Sequence, residues 1–249
     1  MSFRAFVMAR QSFGVDELVT LPATIEAVFC DVGGPIYPDE SFAVAVRRGL
    51  DEIRAEQGRP PVDRADFDRI YDRGRAAQSG SLRRALAGEL LGDESRRDEL
   101  SRRLAPFWTH PEGSAYPDAL ELFRRLHGRV RLAIVANQEA STVDALTRDG
   151  FAPYVDVWGI SAVVGHEKPS REFFEWALRE CGTTPESTVH IGNRLDTDVR
   201  PAKAMGMGTI WVLRGEGPPD PTGEQLGEPD LAVPDLSTVA DVILERAAS

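Results

Sequence analysis

The chain has 249 residues, enough for one large domain or two modest ones with a sizeable core. Its 40 acidic against 29 basic residues give a net charge of -11, which argues against nucleic acid or an anionic membrane surface as the main partner and leaves a small molecule as the default. No apolar run approaches the ~18 residues of a membrane span, and MSFRAFVMARQSFG lacks a sustained apolar segment ending in a small-residue cleavage site, so a cytoplasmic location is expected.

Residues 1–23 read as an N-terminal extension. Ile25 to Cys30 then form a short buried strand that runs into Asp31, and Val32-Gly33-Gly34-Pro35 follow where a strand would otherwise continue. From Pro38 to Glu112 there is no strand-like run, only amphipathic helical stretches such as SFAVAVRRGLDEIRAEQG and SLRRALAGELLGDESRRDELSRRLAP. This segment holds 14 arginines, no lysine and 15 acids, so it is nearly neutral while the remainder carries most of the negative charge. It falls directly after the first strand, where loops at the carboxyl ends of parallel strands build sites, and is predicted to be a helical cap over 38–112.

Beyond it the pattern alternates. A helix over Pro117 to His127 stops at Gly128, and a strand spans Val130 to Ala136. A helix over Ser141 to Asp149 stops at Gly150, and another over Arg171 to Cys181 stops at Gly182. Ser187 to Ile191 is a strand, a helical stretch ends at Met205 before Gly206, and Thr209 to Leu213 is a strand. Glu216 to Glu228 reads as a surface loop before a last strand near Leu231 to Val233 and a C-terminal helix. The alternation implies an α/β fold, a parallel sheet covered by helices, with its core over 24–37 and 113–249. Cys30 and Cys181 are the only cysteines and lack metal-ligand spacing, so they read as buried reduced thiols.

Chemistry-bearing residues collect at strand ends. Asp31 ends the first strand; it is a loop acceptor or a nucleophile, and Gly33 and Gly34 let backbone amides approach a ligand closely. Asn137 follows the second predicted strand, ahead of a helix whose N-terminal amides can face an anion. Lys168 precedes Pro169 and an amphipathic helix. Asn193, Arg194, Asp196 and Asp198 lie between a strand and a helix, where either aspartate could simply cap that helix. His110, His127, His166 and His190 show no metal spacing and read as structural.

Together these four segments resemble the haloacid dehalogenase-like superfamily: an aspartate after the first strand, a polar residue after the second, a lysine followed by proline, an acidic loop before a glycine-containing helix end, and an inserted helical cap. The lysine is the telling match, because the chain has 27 arginines and only two lysines, Lys168 and Lys203. The resemblance implies a Rossmannoid sheet, Asp31 as nucleophile and Lys168 as the cation beside it. It implies a ligand contact from Asn137 and magnesium as cofactor; Gly33, Gly34, Asn193, Asp196 and, by its adjacency to Asn193, Arg194 are further candidates for substrate contact.

The motifs also depart from the family. Its phosphatases usually carry a second aspartate where Gly33 stands, a Ser or Thr where Ala136 stands, and an aspartate where Asn193 stands. A magnesium site built from Asp31, the Gly33 carbonyl, Asn193 and Asp198 is therefore expected to be weak or absent. Metal-free 2-haloacid dehalogenases share the missing aspartate and the Asn193 to Asp196 spacing, but their aromatic residue, Thr and Ser are here Gly33, Pro35 and Ala136. Arg47, Arg48, Arg69, Arg73 and Arg75 are candidates for a substrate carboxylate in that chemistry. The expected function is phosphomonoester hydrolysis on a small molecule; the alternatives are dehalogenation and a degenerate protein that binds a metabolite or partner without turnover. Oligomeric state has no sequence signal here.

Overall fold

The computed structural model describes residues 20–247, so nearly all of the expected extension over 1–23 lies outside the described residues. Six strands, β1 (Ala27–Cys30), β2 (Arg131–Ala136), β3 (Val157–Ile160), β4 (Thr188–Gly192), β5 (Gly208–Val212) and β6 (Leu231–Val233), form one sheet in the order β3-β2-β1-β4-β5-β6. Every pairing is parallel; Cys30 lies opposite Ile134 on one side and Ile191 on the other. Central strands buried on both faces need continuous apolar residues, which is why AVFC is buried throughout.

Four helices follow β1: α1 (Glu40–Glu56), α2 (Arg64–Ala77), α3 (Leu82–Leu86) and α4 (Arg97–Leu104). The rest are α5 (Pro117–Leu126), α6 (Thr142–Arg148), α7 (Ser161–Val164), α8 (Arg171–Cys181), α9 (Arg200–Ala204), α10 (Gly223–Gly227) and α11 (Val239–Leu244). Alternate strand residues point to opposite faces. Val28 and Cys30 accordingly pack with Leu122 and Phe123 of α5 and Ile243 of α11, whereas Ala27 and Phe29 pack with Phe173, Phe174 and Ala177 of α8.

The helices after β1 bury their apolar stripes on one another. In α1 the buried positions Phe42, Ala45, Val46, Gly49, Leu50 and Ile53 recur at the three- and four-residue spacing of one helix face. They join Leu100 and Leu104 of α4 in a cluster separate from those on the sheet. Gly49 permits the approach, since a Cβ there would lie 3.0 Å from the backbone nitrogen of Leu104. Asp63 caps α2 by accepting from Ala65 and Asp66 amides, and the helix ends at Gln78 in the left-handed region, φ 48°.

Three elements depart from the periodicity reading. The edge strand β3 has no counterpart in it: four residues with a central glycine give no strand signal, yet a Cβ at Gly159 would sit 2.6 Å from the carbonyl oxygen of Ile134. Ile25 stands outside β1 and makes an isolated bridge to Ala247. The expected surface loop contains α10, started by a capping box of Thr222 and Gln225. Among the described residues no helix is long and apolar enough to cross a membrane.

Candidate active site

From β1 the chain builds the sheet in one direction through β2 and β3, and from β4 in the other through β5 and β6. The crevice beyond the carboxyl ends of β1 and β4 is thus the place where strand order reverses, the usual ligand position in open α/β sheets. A cavity of about 370 Å³ opens there, lined by Asp31, Gly33, Asp39, Asn137, Lys168 and Asn193 among others, with Phe42 and Trp108 from the helical segment across from them. That volume suits a small molecule.

Lys168 organises the floor. Its ammonium is buried, 2.9 Å from Asp31 Oδ1 and 2.5 Å from Asp198 Oδ1. A cation removed from water needs paired and hydrogen-bonded partners, and here it has two carboxylates. Asp198 is fully buried and its oxygens are all engaged: Oδ1 also meets His190 Nε2 at 3.0 Å, and Oδ2 accepts from the Arg194 amide at 3.0 Å. Lys168 and His190 hold the Asp198 carboxyl well below the usual carboxylate range, against the opposing effect of burial. Burial pushes the Asp31 carboxyl up to about 6, with Lys168 pulling it down and Asp198 adding to the rise. Asp31 has Lys168 as its one ion-pair partner among the described residues and borders the cavity.

The loop after Asp31 holds a residue that sequence reasoning passed over. A Cβ on Gly33 would lie 2.6 Å from Asp39 Oδ1, so the Asp39 carboxylate occupies the volume a side chain at position 33 would need. Asp39 stands at the N-cap of α1 but makes no capping bond. Its Oδ2 instead accepts from Asn193 Nδ2 at 3.0 Å and from the Glu216 amide at 2.7 Å. Burial and the nearby Glu216 raise its carboxyl well above the ordinary range. The aspartate at a helix start after Pro38 reads as an ordinary cap in sequence; only its turned side chain marks it. Gly34 is required twice over, by φ +81° and because a Cβ would come 2.0 Å from Asn193 Nδ2.

Other predicted contacts lie in the cavity wall with their polar groups already committed. Asn137 spends its amide on Lys168, accepting from its backbone nitrogen at 2.7 Å and donating to its carbonyl at 2.8 Å, so it positions the lysine. Arg194 pairs with Asp196 at 2.9 Å and Glu216 at 3.4 Å, which raises the guanidinium pKa against the cost of burial. Asp196 accordingly pairs rather than caps. The arginines suggested for a substrate carboxylate are elsewhere: Arg69 and Arg73 reach Glu89, Arg75 donates to the Gly215 and Gly217 carbonyls, Arg48 covers the Phe107 ring, and neither these nor Arg47 lines the cavity. The arginines that do line it are Arg83, Arg84, Arg97 and Arg194.

Two of the side chains expected to hold magnesium are engaged elsewhere. Asp198 is saturated by Lys168, His190 and a backbone amide, and Asn193 turns its amide nitrogen to Asp39 and to the Arg214 carbonyl. Of the four residues expected to hold the ion, Asp31 alone brings a carboxylate to the cavity wall, and no three His, Cys, Asp or Glu side chains converge on a metal position among the described residues.

The model of the haloacid dehalogenase-like hydrolase family matches residues 25–206, and the chain belongs to that family. A phosphoserine phosphatase of Thermus thermophilus is 32% identical over 168 residues, 66% of each chain. In fold the chain resembles a structure described as a predicted phosphoglycolate phosphatase of Haemophilus somnus, with a TM-score of 0.66, 15% identity and coverage of 88% of this chain and 97% of that one. It also resembles a 2-haloacid dehalogenase of Pseudomonas syringae, with a TM-score of 0.58, 21% identity and coverage of 90% and 100%. The fold is therefore common to both chemistries. The chain spans between about a third and two thirds of the length of the first curated relatives it matches.

Proposed function

We propose that the protein hydrolyses a small phosphomonoester through an aspartyl-phosphate intermediate, with the helices over 38–112 as a cap that encloses the substrate. The observation that carries this reading is the buried Lys168 shared by Asp31 and Asp198 at the floor of the cavity. In the first step an oxygen of the Asp31 carboxylate attacks phosphorus, the phosphorus–oxygen bond to the ester oxygen breaks, and that oxygen takes the proton of the Asp39 carboxyl and leaves as the alcohol. Water then gives a proton back to Asp39 as it attacks the acyl phosphate, releasing inorganic phosphate and restoring the Asp31 carboxylate. Lys168 offsets the negative charge that Asp31 and the phosphoryl group bring together, and Asp198 and Asn137 hold it in place. Asp39 fills the space where a second aspartate would project, so we assign to it the contact with the leaving-group oxygen. The relative named a phosphoserine phosphatase supports phosphoryl chemistry over dehalogenation. The poor donor set for magnesium is the feature a metal-free dehalogenase would share.

The test is phosphate release from a panel of phosphomonoesters, with and without magnesium, alongside halide release from 2-chloro acids. Asp31→Asn should lower phosphate release by roughly 10³-fold or more, as loss of a nucleophile does. Halide release that disappears in Asp31→Asn, with no phosphate release from any ester, would replace this reading with dehalogenation.

A further inference from the structure

The cavity wall contributed by the helical segment carries charge that the catalytic scheme leaves unused. Arg83 of α3 and Arg97 at the start of α4 both line the cavity. Other buried cations there are matched: Lys168 has Asp31 and Asp198, and Arg194 has Asp196 and Glu216. Arg83 has no carboxylate within ion-pair distance among the described residues; one of its terminal nitrogens donates to Ser101 Oγ at 3.1 Å. Arg97 spends one terminal nitrogen on Glu167 at 2.6 Å and another on Asp98 at 3.3 Å, but its Nε is buried and has no partner. Burial and the neighbouring Arg97 depress the Arg83 guanidinium, while the more distant charges of Glu167, Glu216 and Glu139 act the other way.

An uncompensated guanidinium beside a second one with an orphaned buried N–H is costly unless an anion completes it. Charge bookkeeping sets the anion's size. Arg97 already has Glu167 and Asp98, so Arg83 is the guanidinium of this pair left without a carboxylate, and a single guanidinium matches a carboxylate better than a second phosphate dianion. A planar guanidinium also offers the fork that a carboxylate accepts. We infer that Arg83 and Arg97 bind a carboxylate of the substrate, so that the molecule entering the cavity is a phosphorylated small carboxylic acid, its phosphoryl end at Asp31 and its carboxylate against the cap helices. This inference rests on the phosphatase reading above.

The experiment compares kcat/KM for phosphate release within two pairs that differ only by a carboxylate: O-phosphoserine against O-phosphoethanolamine, and 2-phosphoglycolate against methyl phosphate. The native chain should favour the carboxylate member of at least one pair by about tenfold or more, in line with a charge-assisted hydrogen bond. Arg83→Gln and Arg97→Gln should each lower that ratio by about tenfold, chiefly through KM, and Arg83→Lys should restore part of it. Thermal melts of each variant verify that it is folded. A ratio near one in the native chain, or variants that slow both members of a pair by the same factor, would overturn the carboxylate site while leaving the phosphatase reading intact. Absence of phosphate release from all four esters and from the wider panel would instead overturn the phosphatase reading, and this inference with it.

Discussion

Asp31 and Asp198 are both aspartates on Lys168, and they differ because of what else each one meets. Asp198 receives a backbone amide and an imidazole besides the lysine, which holds it ionised and makes it a fixed counter-charge. Asp31 has the lysine as its one ion-pair partner among the described residues, borders the cavity and is raised to about 6 by burial. A nucleophilic carboxylate must be ionised, and a raised pKa means the ionised form is lost at a higher pH than for an ordinary aspartate. The acid limb of kcat/KM should therefore lie near pH 6, with activity falling by about tenfold per unit below it. A limb near pH 4, read from a full pH profile, would mean that Lys168 outweighs burial at this carboxylate.

At the scale of elements, the turn between β1 and α1 decides how the family pattern is rewritten. Gly33 leaves room, Asp39 arrives from the start of α1 to fill it, and Asn193 after β4 and the Glu216 amide hold Asp39 by hydrogen bonds. Restoring the family's second aspartate by Gly33→Asp would drive a Cβ to 2.6 Å from the Asp39 carboxyl group. Overpacking of this kind costs about 1–3 kcal/mol. The pair Gly33→Asp with Asp39→Ala removes the clash, so urea denaturation should find the double variant more stable than Gly33→Asp alone. Equal stability of the two would show that Asp39 moves aside freely and does not own that volume.

For the whole molecule, the helices over 40–104 and the sheet keep separate apolar cores, and polar contacts join them. Gln78, fully buried at the end of α2, donates to the Glu216 carbonyl at 2.8 Å and accepts from the Leu195 amide at 3.0 Å, while its own carbonyl accepts from Arg200 at 2.8 Å. Arg75 adds two bonds to the Gly215 and Gly217 carbonyls, and Tyr71 one to Glu216. Gln78→Ala strands a buried N–H and a carbonyl, a cost of about 1–3 kcal/mol. Hydrogen exchange should then rise in Leu195 and its neighbours and across α2 while β1 and β4 stay protected. Unchanged exchange in α2 would assign the joint to Arg75 and Tyr71 instead.

Local pattern was sufficient for the sheet's central strands, the helix ends at Gly128, Gly150 and Gly182, and the all-helical segment after β1, because apolar period and chain-terminating glycines are properties of neighbouring residues. The same holds for Asp31 and Lys168, whose spacing to strands and whose rarity among 27 arginines single them out in the chain itself. Contacts between distant residues settled the rest. β3 exists because its Gly159 fits under the Ile134 carbonyl, Asn137 serves Lys168 because a loop 31 residues away folds back onto it, and Asp198 is a counter-charge because His190 and Lys168 converge on it. Asp39 and the Arg83 and Arg97 corner belong to that second group. Their side chains are ordinary helix-start and helix-surface residues by local sequence, and only the packing of α1, α3 and α4 over the sheet turns them toward one cavity.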